Sequence, residues 1–139
     1  MSYALLMAPD TAPHPVVGVW RLISYEDRDS ESDAWSPTFG ANPRGIVVYH
    51  PSGVLSVQIA PAADDPEPLF AYVGYFGAYA LVQTQRSGDE AYGVVEHNMH
   101  AAWPSELLAE APERPFSVQG DRLTLGDGRT WRRVFERVT

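Results

Sequence analysis

Apolar and polar residues alternate with a period of two through most of this chain, in runs broken by Gly, Pro, Asp and Ser. Val16–Asp27 mixes β-branched and aromatic residues and carries no Gly or Pro after Gly18. Arg44–His50 and Val54–Ala60 are joined by Pro51-Ser52-Gly53, a hairpin signal. Tyr72–Gln83 and Tyr92–Trp103 form a longer pair across Arg86-Ser87-Gly88-Asp89. Pro115–Gln119 meets Arg122–Leu125 across Gly120-Asp121, and Arg129–Val138 follows the Asp127-Gly128 turn. With a short piece at Trp35–Phe39, the pattern predicts eight or nine strands in a meander. Helix is scarce: Ser105–Ala111 predicts about two turns, capped by Ser105 and stopped by Pro112. The expected fold is all-β, an antiparallel up-and-down barrel with one short helix, because closing a meander removes its exposed edges.

At 139 residues the chain is the length of one domain, and no repeat or linker divides it. Residues 1–15 read as an N-terminal arm and 16–139 as the barrel domain. The arm's apolar patch, Tyr3–Met7, has no preceding Lys or Arg and is too short for a membrane span. Zero cysteines remove disulfides, thiolate metal sites and a cysteine nucleophile, and are compatible with a reducing cytoplasm, the expected location. A formal charge of −8 without a basic run argues against nucleic acid as a partner. The acidic stretches Glu26–Asp33 and Asp64–Glu67 lack the alternating spacing of a calcium loop and read as solvated loops. Pro61–Pro68 is a Pro- and Asp-rich loop that could act as a lid. No Gly-rich phosphate loop, G-x-S-x-G elbow or H-E-x-x-H is present, and no cofactor or metal is expected.

The segment Val17-Gly18-Val19-Trp20-Arg21-Leu22-Ile23-Ser24-Tyr25 resembles the opening of the bacterial lipocalin-like domain family, calycin-type barrels, with Gly18 and Trp20 supplying the G-x-W signature. The likeness continues through Gly45–Tyr49, Ser52-Gly53, Leu55–Gln58, Tyr72–Tyr79, Gly120–Leu125 and Val134–Arg137. It implies an eight-stranded barrel closed at one end around a ligand cavity. It implies no single reaction, because this architecture serves carriers as well as cyclases and isomerases of secondary metabolism. Members often carry adjacent histidines near the strand at Tyr92–Trp103. This chain has Glu96-His97-Asn98 instead, with a second histidine at His100.

In barrels of that type the G-x-W tryptophan plugs the closed end. Alternation then turns Leu22, Ser24 and Glu26 inward with Trp20. The last strand must close the barrel against the first, which sets Arg137 on Trp20, Phe135 level with Leu22, Arg133 with Ser24 and Trp131 with Glu26. Arg133 and Glu26 are thus expected inside the cavity, either bracing each other or leaving Arg133 to hold a ligand oxygen, unless the register slips by one and turns both to solvent. On Tyr92–Trp103 the more apolar face is Val95, His97, Met99, Ala101 and Trp103, expected inside. His97 is then either satisfied by a neighbouring hydroxyl or backbone group, or free for general acid/base work. On Tyr72–Gln83 the favoured inward set is Tyr75, Gly77 and Tyr79, which leaves Phe76, Ala78, Ala80 and Val82 as an outward apolar strip and a candidate homodimer contact.

The expectation is a barrel that binds a small hydrophobic metabolite or acts on it as a cofactor-independent cyclase, isomerase or dehydratase. Arg133, His97, Tyr75 and Tyr79 are the candidate catalytic groups. Ser24, Glu26, Met99, Trp103, Trp131 and Phe135 are the candidate ligand contacts. The alternatives are a carrier without catalysis and an interaction scaffold with a filled barrel. A carrier would pair its polar groups internally, and an enzyme would leave hydrogen bonds unspent at one point.

Overall fold

A computed structural model of the protein describes residues 13–63 and 72–138. The expected turns reverse the chain and leave nine strands: β1 (Gly18–Asp27), β2 (Ser36–Pro37), β3 (Arg44–Tyr49), β4 (Val54–Ala60), β5 (Val73–Ser87), β6 (Glu90–Trp103), β7 (Glu113–Gln119), β8 (Arg122–Leu125) and β9 (Trp131–Arg137). β1 and β3 to β9 follow one another antiparallel, and β9 returns to pair with β1, so the sheet closes. β2 is a two-residue addition on the end of β1, Glu26 opposite Pro37. Closure leaves no exposed edge on the eight barrel strands. The apolar patch at Tyr3–Met7 and the loop residues Asp64–Pro68 lie outside the described residues. No helix among the described residues is long and apolar enough to cross a membrane.

The expected two-turn helix is a single 3-10 turn, Ser105–Ala109. Ser105 is the first residue of that turn, so Pro104 occupies the cap position and no side chain caps it. The Ser105 hydroxyl instead donates to Glu106.

The floor of the barrel is built as the register demands. Trp20 is fully buried opposite Arg137, whose guanidinium carbon lies 4.2 Å from the centre of the indole. That guanidinium donates to the carbonyls of Val17 (2.9 Å) and Pro15 (2.8 Å), and the indole N–H donates to Val16 (2.8 Å). Residues 13–17 are thereby tied beneath the floor. Gly18 is required because its φ is +142° and a Cβ there would lie 2.9 Å from the Arg137 guanidinium. Above the floor Leu22, Val47, Leu55, Val95, Val118, Leu123 and Phe135 form the packed core.

Two bulges then overturn part of the expected register. Leu22 does face Phe135, but Ile23 is extra, and the next pairs are Ser24 with Val134, Tyr25 with Arg133 and Glu26 with Arg132. Beyond the bulge every side chain of β1 changes sides. Tyr25 and Asp27 therefore turn inward, whereas Ser24 and Glu26 leave the interior. On β6 the pairing jumps from Met99–Gly77 to Ala101–Phe76, which leaves His100 as the extra residue. Ala102 thus packs on the core, and Trp103, expected inside, is 70% exposed. Gly77 marks this crossing, since a Cβ there would sit 2.0 Å from the Asn98 carbonyl oxygen. β5 itself is oriented as expected, with Tyr75 and Gly77 buried and Phe76 55% exposed on the outward strip.

Candidate functional site

The strands enclose a cavity of about 870 Å³, open at the end away from Trp20. That size lies in the usual range for small-molecule sites, roughly 300–1,000 Å³. Val47, Val57, Ile59, Leu125 and Phe135 give it an apolar lining, and the 3-10 turn adds Leu107. Polar groups enter from two sides. β5, β6 and β7 bring Tyr75, His97 and Arg114, and β1 and β9 bring Tyr25, Asp27 and Arg133. A barrel filled by its own side chains is not what this sequence makes.

His97 is 2% exposed and hydrogen-bonded at both ring nitrogens, Nε2 to the Tyr49 hydroxyl (2.6 Å) and Nδ1 to the Tyr75 hydroxyl (2.7 Å). Burial, reinforced by the Arg114 charge, lowers its pKa to about 3, so the imidazole is neutral at physiological pH. A neutral imidazole donates from one nitrogen and accepts at the other. Burial also holds the Tyr49 phenol well above its ordinary pKa, so it keeps its proton. Among the described residues His97 is the one hydrogen-bond partner of the Tyr49 hydroxyl. Were Nε2 to donate, the fully buried Tyr49 proton would have no acceptor, at a cost of about 1–3 kcal/mol. Tyr49 therefore donates to Nε2, and Nδ1–H donates to Tyr75.

This assignment fixes the state of Tyr75. Its oxygen accepts from His97, and the Arg114 charge lies close by. Burial raises the pKa of this phenol far above the ordinary value, although Arg114 opposes the shift, so the proton stays on oxygen. No protein acceptor takes that proton among the described residues, and Tyr75 lines the cavity. Arg114 is itself held by the carbonyls of Ala111 and Glu113 and by the Glu110 carboxylate at 3.3 Å.

The opposite wall is organised around Arg133. Its guanidinium pairs with Asp27 at 3.1 Å, donates to the Glu26 carbonyl at 2.8 Å and lies 3.5 Å over the Tyr25 ring. The expected Arg133–Glu26 pair does not form, because the Ile23 bulge sends the Glu26 carboxylate outward to Arg132 at 2.8 Å. Phe39 packs edge-on against Tyr25, with ring centres 4.8 Å apart. Arg28 and Arg132 both lie over the Trp35 ring, at 4.0 and 4.1 Å, and steady the loop at the cavity mouth.

Of the residues singled out in the sequence, Arg133, His97, Tyr75, Trp131 and Phe135 line the cavity together. Ser24, Glu26 and Trp103 do not, for the reason of the bulges. Met99 packs on the core without lining the cavity. Tyr79 packs edge-on against Tyr49, and its hydroxyl donates to the His50 carbonyl at 2.6 Å, which takes it away from the cavity. Tyr49, Tyr25 and Arg114 were missed. A signal for Tyr25 existed: strict alternation from Trp20 puts the small Ser24 inside and the aromatic Tyr25 outside. Arg114 sits between Pro112 and Pro115 and reads as turn, yet it shares the inward parity of Phe116 and Val118.

A closed eight-stranded antiparallel barrel, plugged by a G-x-W tryptophan under an arginine and hollow above it, defines the lipocalin-like class. Residues 17–71 match the family model of the lipocalin-like domain, and β5 to β9 complete the same barrel. The matched segment spans β1 to β4, and the closed barrel it belongs to is lipocalin-like in architecture. Neither the search of curated proteins nor that of solved structures finds a match.

Proposed function

We propose that this protein binds a small, largely apolar organic molecule inside the barrel and holds it by an acceptor oxygen, a carbonyl above all, against the Tyr75 hydroxyl. The observation that carries the reading is the unspent Tyr75 proton, backed by the His97 donor and facing the cavity. The rest of the polar lining is largely matched within the protein, as a binding site requires. Native mass spectrometry of the purified protein, followed by identification of any co-purifying compound, tests the occupant. Titration with an environment-sensitive aminonaphthyl ketone tests the contact. Tyr75→Phe is expected to weaken that ketone about fivefold, the worth of one hydrogen bond, while leaving the matched hydrocarbon unchanged. Equal affinity of both proteins for the ketone would refute the contact.

One observation favours catalysis within the same site. A phenol that accepts a hydrogen bond from an imidazole, with a guanidinium charge nearby, is a strengthened donor for a carbonyl oxygen on which charge develops. This suits a cofactor-independent cyclase, isomerase or dehydratase of a secondary metabolite. His97 would then be a positioning residue, since both nitrogens are engaged. Conversion of the co-purified compound by the native protein, lost in Tyr75→Phe, is the result this reading requires.

A further inference from the structure

Tyr25 repeats on β1 what Tyr75 does on β5. Both phenols line the cavity, and each is braced by an arginine that is already matched to a carboxylate. Arg133 pairs with Asp27 at 3.1 Å and Arg114 with Glu110 at 3.3 Å. Phe39 and the Arg133 guanidinium fix the Tyr25 ring from its edge and its face. No protein acceptor takes the Tyr25 hydroxyl proton among the described residues. β1 and β5 are three strands apart in the closed sheet, so the two phenols address a ligand from different walls.

The charges narrow the ligand further. Arg133 and Arg114 are spent on Asp27 and Glu110, Arg28 lies over Trp35 and donates to the Arg129 and Asp33 carbonyls, and Asp29, Asp33 and Glu113 line the cavity as well. A carboxylate ligand would lose its hydration and face a lining in which carboxylates outnumber arginines. A neutral molecule with two acceptor oxygens meets two donors. In a β-dicarbonyl the two oxygens share one enol proton, and each keeps a lone pair.

Resting on the binding reading above, we propose that Tyr25 and Tyr75 together form a two-point donor site that selects neutral β-dicarbonyl compounds over monoketones and over carboxylates.

The test uses the full-length protein with three probes: dibenzoylmethane, its monoketone counterpart dihydrochalcone, and diphenylacetate. Wild-type protein is expected to bind dibenzoylmethane at least about fivefold more tightly than dihydrochalcone, and diphenylacetate about tenfold more weakly than either. Tyr25→Phe keeps the ring between Phe39 and Arg133 and should abolish the diketone preference while leaving dihydrochalcone within about twofold. If Tyr25→Phe binds both ketones as wild type does, or if wild type shows no diketone preference, the two-point site is wrong and the binding reading stands. Tight binding of diphenylacetate would overturn the selectivity for neutral compounds. Failure of wild-type protein to take up any of the three would sink both.

Discussion

At the scale of residues, the side chains that matter are held by hydrogen bonds whose direction can be worked out. His97 is the pivot, and its burial makes a stability prediction. In the folded chain its pKa falls to about 3, against 6.5 for an unperturbed histidine. Above pH 6.5 neither state is protonated there, and the group adds no pH dependence. Below it the unfolded chain takes up a proton that the folded chain refuses. Stability should therefore fall by up to about 1.4 kcal/mol per pH unit from this group, until the pH approaches the folded value. His97→Gln removes the titration and leaves a donor and an acceptor in place. Urea unfolding at pH 7, 6, 5 and 4 should show a clearly shallower acid slope for the variant than for wild type. Parallel slopes would mean that His97 is not buried neutral.

At the scale of elements, what was legible is the strand pattern, and what was not is the bulge. Hairpin turns announce themselves through Gly, Asn, Asp and Pro, whose backbone preferences are local. A bulge is one residue too many in a strand that otherwise reads normally, and Ile23 and His100 carry no compositional mark. Period-two inference passes any such insertion on to every later residue. This is why Trp20, Leu22 and Phe135 were placed correctly while Ser24, Glu26 and Trp103 were not. Pairing partners such as Glu26–Arg132 depend on the closed register and were invisible for the same reason. The β5–β6 crossing is testable at this scale. Gly77→Ala would drive a methyl group into the Asn98 carbonyl and should destabilise the fold by roughly 1–3 kcal/mol, read as a lower urea midpoint. An unchanged midpoint would show that the two strands do not approach so closely.

At the scale of the whole molecule, one end of the barrel is built to be shut and the other to admit a ligand. Trp20, Arg137 and residues 13–17 seal the floor. Carboxylates and arginines line the mouth, two pairs of them matched, and the donors lie between. The architecture was legible from the G-x-W segment and the count of strands; the chemistry of the interior needed the register. Everything proposed for the interior depends on the direction of the Tyr49–His97–Tyr75 chain. Long-range nitrogen–proton correlation NMR of the ¹⁵N-histidine-labelled protein at neutral pH reads that direction in the intact barrel. The result predicted for His97 is a protonated Nδ1 and a bare, hydrogen-bond-accepting Nε2. A proton on Nε2 would mean that the chain runs the other way, with Tyr75 spending its hydroxyl on the imidazole and holding nothing out to a ligand.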